Sequence, residues 1–327
     1  MNAPAVIGKN QTASRPSLRS GFYDPQRGQA PVELQSVEFE REPYEPQRSN
    51  CFTVIHLRKG EGVFWADAGR HLYSASSLLF FVPYQHIRMQ PETDTAAEVI
   101  RFHANFLCVE TFHAETGCSG VLFNDPYGVP VVELDRTARS RVRSLIDDLR
   151  RELETPGLAG QEASLAYLKL LLITATRRKT ALIGRSSSRG LPRHPVLEPL
   201  AQLIEENYRM LHGPADYAAL VHMTPKSLGR IVKEQLGKTL TDLIRARILT
   251  HAKWQLLHTL RPVKEIAREV GFDDELYFSR FFKKATSVSP TFFREFETEI
   301  RGGSNLSMSS AAAPIQKASG TSDDSSR

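Results

Sequence analysis

Apolar residues change their spacing twice along this chain. From about Pro31 to Glu133 they fall in short runs, "CFTVIHL" (51–57), "GVFWA" (62–66), "LLFFV" (78–82), "HIRM" (86–89) and "AEVIRFHA" (97–104), broken by turn signals such as "DAGR" at 67–70. Short runs punctuated by Gly and Pro predict the strands of a sandwich or barrel. The period then becomes helical. Val142, Leu145, Ile146, Leu149 and Leu153 share one face until "TPG" at 155–157 stops the helix. The next helix, about 158–177, is apolar around much of its circumference at "LAYLKLLLI" (165–173). Such a surface calls for a second apolar contact, either in the core of its own domain or in a dimer interface.

After "GRSSSRGLPRHP" (184–195), which reads as a flexible basic linker, the second change occurs. In "GFDDELYFSRFFKK" (271–284), Phe278 and Phe282 lie one helical turn apart, while Leu276, Ser279, Arg280 and Lys283 fall on or beside the opposite face. Upstream, "PVKEIAREVGF" (262–272) places Val263, Ile266, Ala267 and Val270 on one stripe, and Gly271 suits the left-handed residue that ends a helix. The pattern is helix, short turn, helix. A braced short helix with Arg and Lys outward fits a DNA major groove, and one such pair alone fits an ordinary amphipathic pair equally well.

A second copy shifts that balance. "PADYAALVHMTPKSLGRIVKEQLGK" (214–238) repeats the pattern: Ala218 matches Ala267, Leu228 matches Phe278 and Val232 matches Phe282. In the same frame Lys226 matches Leu276, Arg230 matches Arg280 and Lys233 matches Lys283. Residues 240–260 between the copies predict a helix of about 30 Å at 1.5 Å per residue. That is close to the ~34 Å turn of B-DNA, so two recognition helices at its ends could enter successive major grooves.

Composition narrows the class. The chain has 327 residues, room for about two domains. Its 42 basic and 37 acidic residues leave a net charge of only +5. The charge is concentrated between Arg177 and Arg193, which contains six basic residues and no acidic one. Three cysteines, Cys51, Cys108 and Cys118, form no disulfide framework and fit a reducing cytoplasm. The N-terminal stretch lacks the apolar core of a signal peptide, no run is long enough to span a membrane, and a cytoplasmic location is expected.

Residues from about Val196 to Phe296 resemble the AraC-type family of bacterial transcription regulators, through "EIAREVGF", "YFSRFFKK", "SPTFFREF" and, in the connecting helix, "AKWQLL". The resemblance covers about a third of the chain. It implies seven helices, two helix-turn-helix units and operator binding, with DNA contacts from Lys226, Ser227, Arg230, Lys233, Leu276, Ser279, Arg280 and Lys283. Three residues depart from the family pattern: Ser287 stands where a glycine is usual, His222 occupies the position of Gly271 in the first turn, and Gly229 lies inside the first recognition helix. The last costs about 1 kcal/mol relative to Ala, which would make the first unit the weaker reader.

In that family the preceding domain is commonly a cupin-like barrel that binds an effector or mediates dimerisation, and residues 60–89 resemble one. The expected fold class is α+β multidomain: an N-terminal cupin-like β-barrel with two following helices, then an all-α DNA-binding domain with two helix-turn-helix units joined by a long helix. The expected boundaries are a disordered tail at 1–30, the barrel domain at 31–182, the linker at 183–195, the double helix-turn-helix domain at 196–298, and a second disordered tail at 299–327. His56, His71, His86 and His103 are isolated and supply no His-x-His pair, which argues against a metal-dependent enzyme. His103, Cys108, His113 and Cys118 recur at five-residue intervals and read either as core and pocket residues or as a metal or redox sensor. His86, Arg88 and His103 are candidate contacts for an anionic effector.

The expectation is therefore a cytoplasmic transcription activator with no catalytic residues and no cofactor. Its expected partners are double-stranded DNA, a small-molecule effector, RNA polymerase and a second copy of the chain, with no membrane. Two rivals stay open at this point: a metal-dependent cupin enzyme with an accessory helical domain, and a DNA binder whose front domain takes no ligand.

Overall fold

A computed structural model of the chain describes residues 21–108, 112, 120–123, 125, 127–185 and 194–301. Among the described residues are eight strands: β1 (Val32–Phe39), β2 (Phe52–Lys59), β3 (Gly62–Ala66), β4 (Gly69–Tyr73), β5 (Ser77–Phe81), β6 (Ile87–Pro91), β7 (Thr95–Phe102) and β8 (Val131–Glu133). They form a five-stranded sheet in the order β1-β7-β2-β5-β8 and a three-stranded sheet in the order β4-β3-β6, with antiparallel pairing throughout.

The apolar runs of β2, β5 and β7 are continuous because the larger sheet is covered on both faces. Val54, Leu78, Phe80, Ile100 and Phe102 point into one cluster with the helices that follow, while Ile55, Leu57, Leu79, Phe81 and Val99 point into another, with Phe64 and Met89 of the smaller sheet. Alternate side chains of a strand face opposite sides, so both sets must be apolar. The space between the sheets is filled: Phe64 and Met89 are fully buried.

Helices α1 (Arg136–Glu154) and α2 (Gly160–Arg185) pack on the outer face of the larger sheet. The Asp135 carboxylate caps α1 by accepting from the Ala138 amide at 2.9 Å. Val142, Leu145, Ile146 and Leu149 form its buried face. The second apolar contact expected of α2 is found within its own domain: Leu168, Leu171, Leu172 and Ala175 lie in the same cluster as α1, so Leu168 and Leu172 are core residues and unavailable to a dimer interface. The helix also runs through the boundary expected at 182.

Seven further helices are described after residue 194: α3 (Leu197–Asn207), α4 (Pro214–Leu220), α5 (Pro225–Leu236), α6 (Leu240–His258), α7 (Val263–Glu269), α8 (Glu275–Thr286) and α9 (Pro290–Ile300). Residues 186–193, most of the expected linker, lie outside the described residues, as do 1–20 and 302–327 of the expected tails. Residues 21–30 correct the expectation of a tail reaching to 30. Phe22 and Tyr23 are buried, and Phe22 packs 5.3 Å from the Tyr84 ring and 5.9 Å from that of Phe296, measured between centroids. Two adjacent aromatic rings gain too much from burial to be left in water. With Cys51 and Tyr84, they join the front domain to the core of the C-terminal helices in one apolar cluster.

Candidate nucleic-acid interface

The two helix pairs α4–α5 and α7–α8 are built alike. Each begins its second helix on a side-chain cap: Thr224 Oγ1 accepts from the Ser227 amide at 3.2 Å, and Asp274 Oδ1 accepts from the Leu276 amide at 2.7 Å. Each turn between helices passes through a left-handed residue, His222 at φ 55° and Gly271 at φ 90°. A side chain tolerates the first turn. At the second, a β-carbon on Gly271 would lie 2.2 Å from the Arg209 carbonyl oxygen, so glycine is required there. Each second helix also ends left-handed, at Gly237 with φ 67° and at Ser287 with φ 70°. Ser287, the departure from the family glycine, takes the strained conformation while donating its amide to the Lys283 carbonyl at 2.8 Å.

The faces divide as the spacing predicts. Leu228, Val232, Phe278 and Phe282 are fully buried. On the opposite side Lys226, Arg230 and Lys233 of α5 and Leu276, Arg280 and Lys283 of α8 are exposed, while Ser227 and Ser279 are half-buried beside them. Arg230 pairs with Glu234 at 3.3 Å, one turn along the same helix. Nothing within 4 Å would meet a β-carbon on Gly229, so no packing need accounts for this glycine. The connecting helix α6 begins in a capping box between Thr239 and Asp242 and holds Leu243, Ile244, Ile248, Ala252 and Leu256 on its buried stripe. Its 19 residues correspond to about 28 Å.

Where the front domain meets these helices lies a cavity of about 980 Å³. Lys179 of α2, Lys238 after α5 and Lys253 of α6 line it, and so do Tyr277 and Arg280 of α8. Burial pushes the Lys179 and Lys253 ammonium groups down to about 8, and lowers Lys238 as well. Lys179 donates to the Val121 carbonyl at 2.6 Å and Lys253 to the Pro83 carbonyl at 2.9 Å.

The sequence candidates for ligand binding are scattered around this space. His86 lines it and faces Glu45 at 2.7 Å. Arg88 lies outside the lining, with its guanidinium 5.3 Å from the centre of the Trp65 ring. His103 lines it too, but its Nε2 is directed at Glu297 Oε2, 3.3 Å away. Cys108 is half-exposed at the edge of the same space, whereas His113 and Cys118 lie outside the described residues. Among the described residues, no group of three or more His, Cys, Asp or Glu side chains could hold a metal ion.

Sequence reasoning missed Glu297. It is buried and accepts from the Tyr84 hydroxyl, from Asn50 Nδ2 at 3.4 Å and from His103. Burial alone would raise its carboxyl, but the His103 hydrogen bond and charge, with Tyr84 and Arg301, outweigh that and hold it below the ordinary 4.5. A signal was present: Glu297 falls on the helical face of Phe293, Phe296 and Ile300, all apolar.

The family model of the helix-turn-helix domain matches residues 217–295. The arabinose operon regulatory protein of Salmonella typhimurium is 40% identical over 80 residues, 24% of this chain and 28% of that protein. The HTH-type transcriptional activator RhaR of Enterobacter sp. is 25% identical over 173 residues, 53% of this chain and 60% of RhaR. The chain thus spans just over a quarter of one relative and three-fifths of the other. The C-terminal domain of AraT, a response regulator from Geobacillus stearothermophilus, is 32% identical, with a TM-score of 0.31, covering 32% of this chain and 88% of that one. These relatives are regulators rather than enzymes. No helix among the described residues is long and apolar enough to cross a membrane. Through residues 217–295, which carry the paired helix-turn-helix units, the chain thus has a helix-turn-helix domain of the AraC type.

Proposed function

We propose that this chain is a sequence-specific DNA-binding transcription regulator whose activity is set by a small anionic effector held between its front domain and its reader. The observation that carries the reading is the repetition: α5 and α8 have equivalent caps, buried faces and exposed basic faces, at the two ends of α6. A separation near one turn of B-DNA suits two adjacent major grooves. Lys226, Ser227, Arg230 and Lys233 on α5, and Leu276, Ser279, Arg280 and Lys283 on α8, are the proposed contacts. Phosphate pairing supplies most of the affinity, and a few base-edge contacts supply the specificity.

The cavity is the proposed effector site. Its ~980 Å³ falls in the usual range for small-molecule sites, and Lys179, Lys238 and Lys253 offer an anion positive charge in a lining that also holds Asp67, Asp125, Asp242 and Glu297. A second pocket, between Tyr44, Cys51 and Arg101 of the front domain, holds only about 10 Å³, too little for an effector. Activation is the proposed sense of regulation, because RhaR, similar over half of this chain, is a transcriptional activator. RNA polymerase and a second copy of the chain are the proposed protein partners, and the cytoplasm the proposed location.

Selection of bound sequences from a random duplex pool tests the DNA reading. The full chain should enrich one motif, with affinity falling steeply as salt rises, and Arg230→Ala plus Arg280→Ala should weaken binding at least tenfold without changing the melting temperature. Enrichment of no motif, or binding indifferent to both substitutions, refutes it.

A further inference from the structure

The front domain holds the C-terminal ends of both recognition helices. After α5, the Gly237 carbonyl oxygen accepts from the Arg70 amide of β4 at 3.0 Å. In the last turn of α8, the Ala285 carbonyl oxygen accepts from the Arg48 guanidinium. Carbonyls at a helix C-terminus lack partners within the helix, and a cation there also meets the negative end of the helix dipole. A third bond secures the segment after α8, where Asn105 Nδ2 donates to the Ile300 carbonyl at 2.7 Å. The opposite ends of α5 and α8, with Lys226 and Leu276, stay exposed.

Between the two readers the chain has two non-helical joints, 237–239 before α6 and 259–262 after it. Each is a place where backbone torsions could change the angle of a recognition helix relative to α6. The front domain thus spans both joints from outside, gripping one helix-turn-helix unit through the Arg70 backbone and the other through Arg48, while Asn105 holds the end of α9.

We propose that the front domain is a spacing gauge, in which Arg48 and Asn105 are positioning residues that fix the separation and angle of the two readers. The full chain then discriminates between operators by the number of base pairs between the two half-sites, and not only by their sequence. One added base pair moves the second groove by about 3.4 Å and rotates it by about a tenth of a turn. Free joints absorb such a change, whereas a braced pair must lose contacts. This inference rests on α5 and α8 each reading one half-site.

The test uses the site selected by the full chain and two derivatives with one base pair added or removed between the half-sites. Dissociation constants are measured for the full chain, for Arg48→Ala and Asn105→Ala singly and together, and for Arg48→Lys. The wild-type chain should lose about tenfold or more on either derivative, the order of one lost base-reading contact. The double variant should keep its affinity for the selected spacing within a few-fold and lose only about threefold or less on the derivatives. Each single variant should fall between, and Arg48→Lys, which keeps a cation at Ala285, should restore most of the discrimination. Melting curves check that each variant folds, and should the double variant fail to, the singles carry the same comparison. An equal spacing penalty in wild type and variants overturns the proposal and leaves the spacing to α6 or to the apolar seam of Phe22, Tyr23 and Tyr84, and a wild-type chain indifferent to spacing overturns it as well. Failure to bind any duplex refutes the underlying DNA reading instead.

Discussion

Glu297 of the last helix meets His103 of the front domain at 3.3 Å, in a contact where both side chains are almost wholly withdrawn from solvent. The pair ties the end of β7 to the C-terminal helices, and its carboxyl is held below the ordinary 4.5. A carboxyl lowered in the folded state contributes stability that is fully present above its unfolded value and is lost as pH falls through the folded one. Melting of the wild-type chain should therefore drop faster below about pH 4.5 than that of Glu297→Gln, which has no such proton to take up. His103→Ala, which leaves the carboxylate with less compensation, should cost about 3–5 kcal/mol near neutral pH. Parallel melting curves for wild type and Glu297→Gln over the acid range would show that this contact is not charged.

Lys253 tells the opposite story about burial. Its ammonium has the Pro83 carbonyl at 2.9 Å and the Tyr84 ring centre at 5.6 Å, and burial lowers it to about 8. The unfolded chain holds that proton up to about 10.5, so the cost to folding is fully present below pH 8 and is relieved as pH rises from 8 to 10.5. The interval between those values corresponds to roughly 3 kcal/mol. Lys253→Met should raise the melting temperature at pH 7, with the gain shrinking toward pH 10. It should also weaken binding of an anionic effector. Calorimetric melts at both pH values check the sign, and a fall in stability at pH 7 would contradict it.

Core and reading faces of α8 separate in a paired experiment. Phe278 and Phe282 are fully buried, their ring centres 6.0 Å apart, with Phe293 packed edge-on against Phe282. Phe278→Ala or Phe282→Ala should cost about 3–5 kcal/mol by opening a cavity under the helix. Arg280→Ala should change stability by no more than about 0.5 kcal/mol while weakening DNA binding. Urea titration alongside gel-shift measurement reads both. Reversal of the two effects would mean the faces are assigned backwards.

The legible parts of this fold are those whose signal is local. Phe278 and Phe282 repeat in Leu228 and Val232 at the same register, so helix spacing alone identifies the buried side. The left-handed turn at Gly271 is legible for the same reason. The docking seam is different, because Arg48, Asn50, Tyr84 and His103 reach Glu297 and Ala285 across large sequence separations, and none of them carries a pattern of its own. Phe22 and Tyr23 were obscured by the polar residues around them. The effector candidates His86, Arg88 and His103 lack such a pattern too, and only the distances reveal that His103 is engaged by Glu297 and that Arg88 is stacked on Trp65.

Helix α2 shows how an all-round apolar surface can mislead. Leu168 and Leu172 are fully buried among Val142, Ile146 and Leu149 of α1 and the outer face of the larger sheet, whereas Leu170 is 40% exposed. Glutamate at position 168 or 172 would place a carboxylate where no partner is at hand, at a cost that burial of an unpaired charge makes larger than a small domain's reserve. Leu168→Glu plus Leu172→Glu should therefore unfold the front domain instead of yielding a folded monomer. Leu170→Glu should stay folded, with stability within about 0.5 kcal/mol of wild type. Circular dichroism and sedimentation on the purified chains decide between the outcomes. A soluble, cooperatively melting Leu168→Glu plus Leu172→Glu protein of smaller mass than wild type would restore the dimer role for that face and remove it from the core.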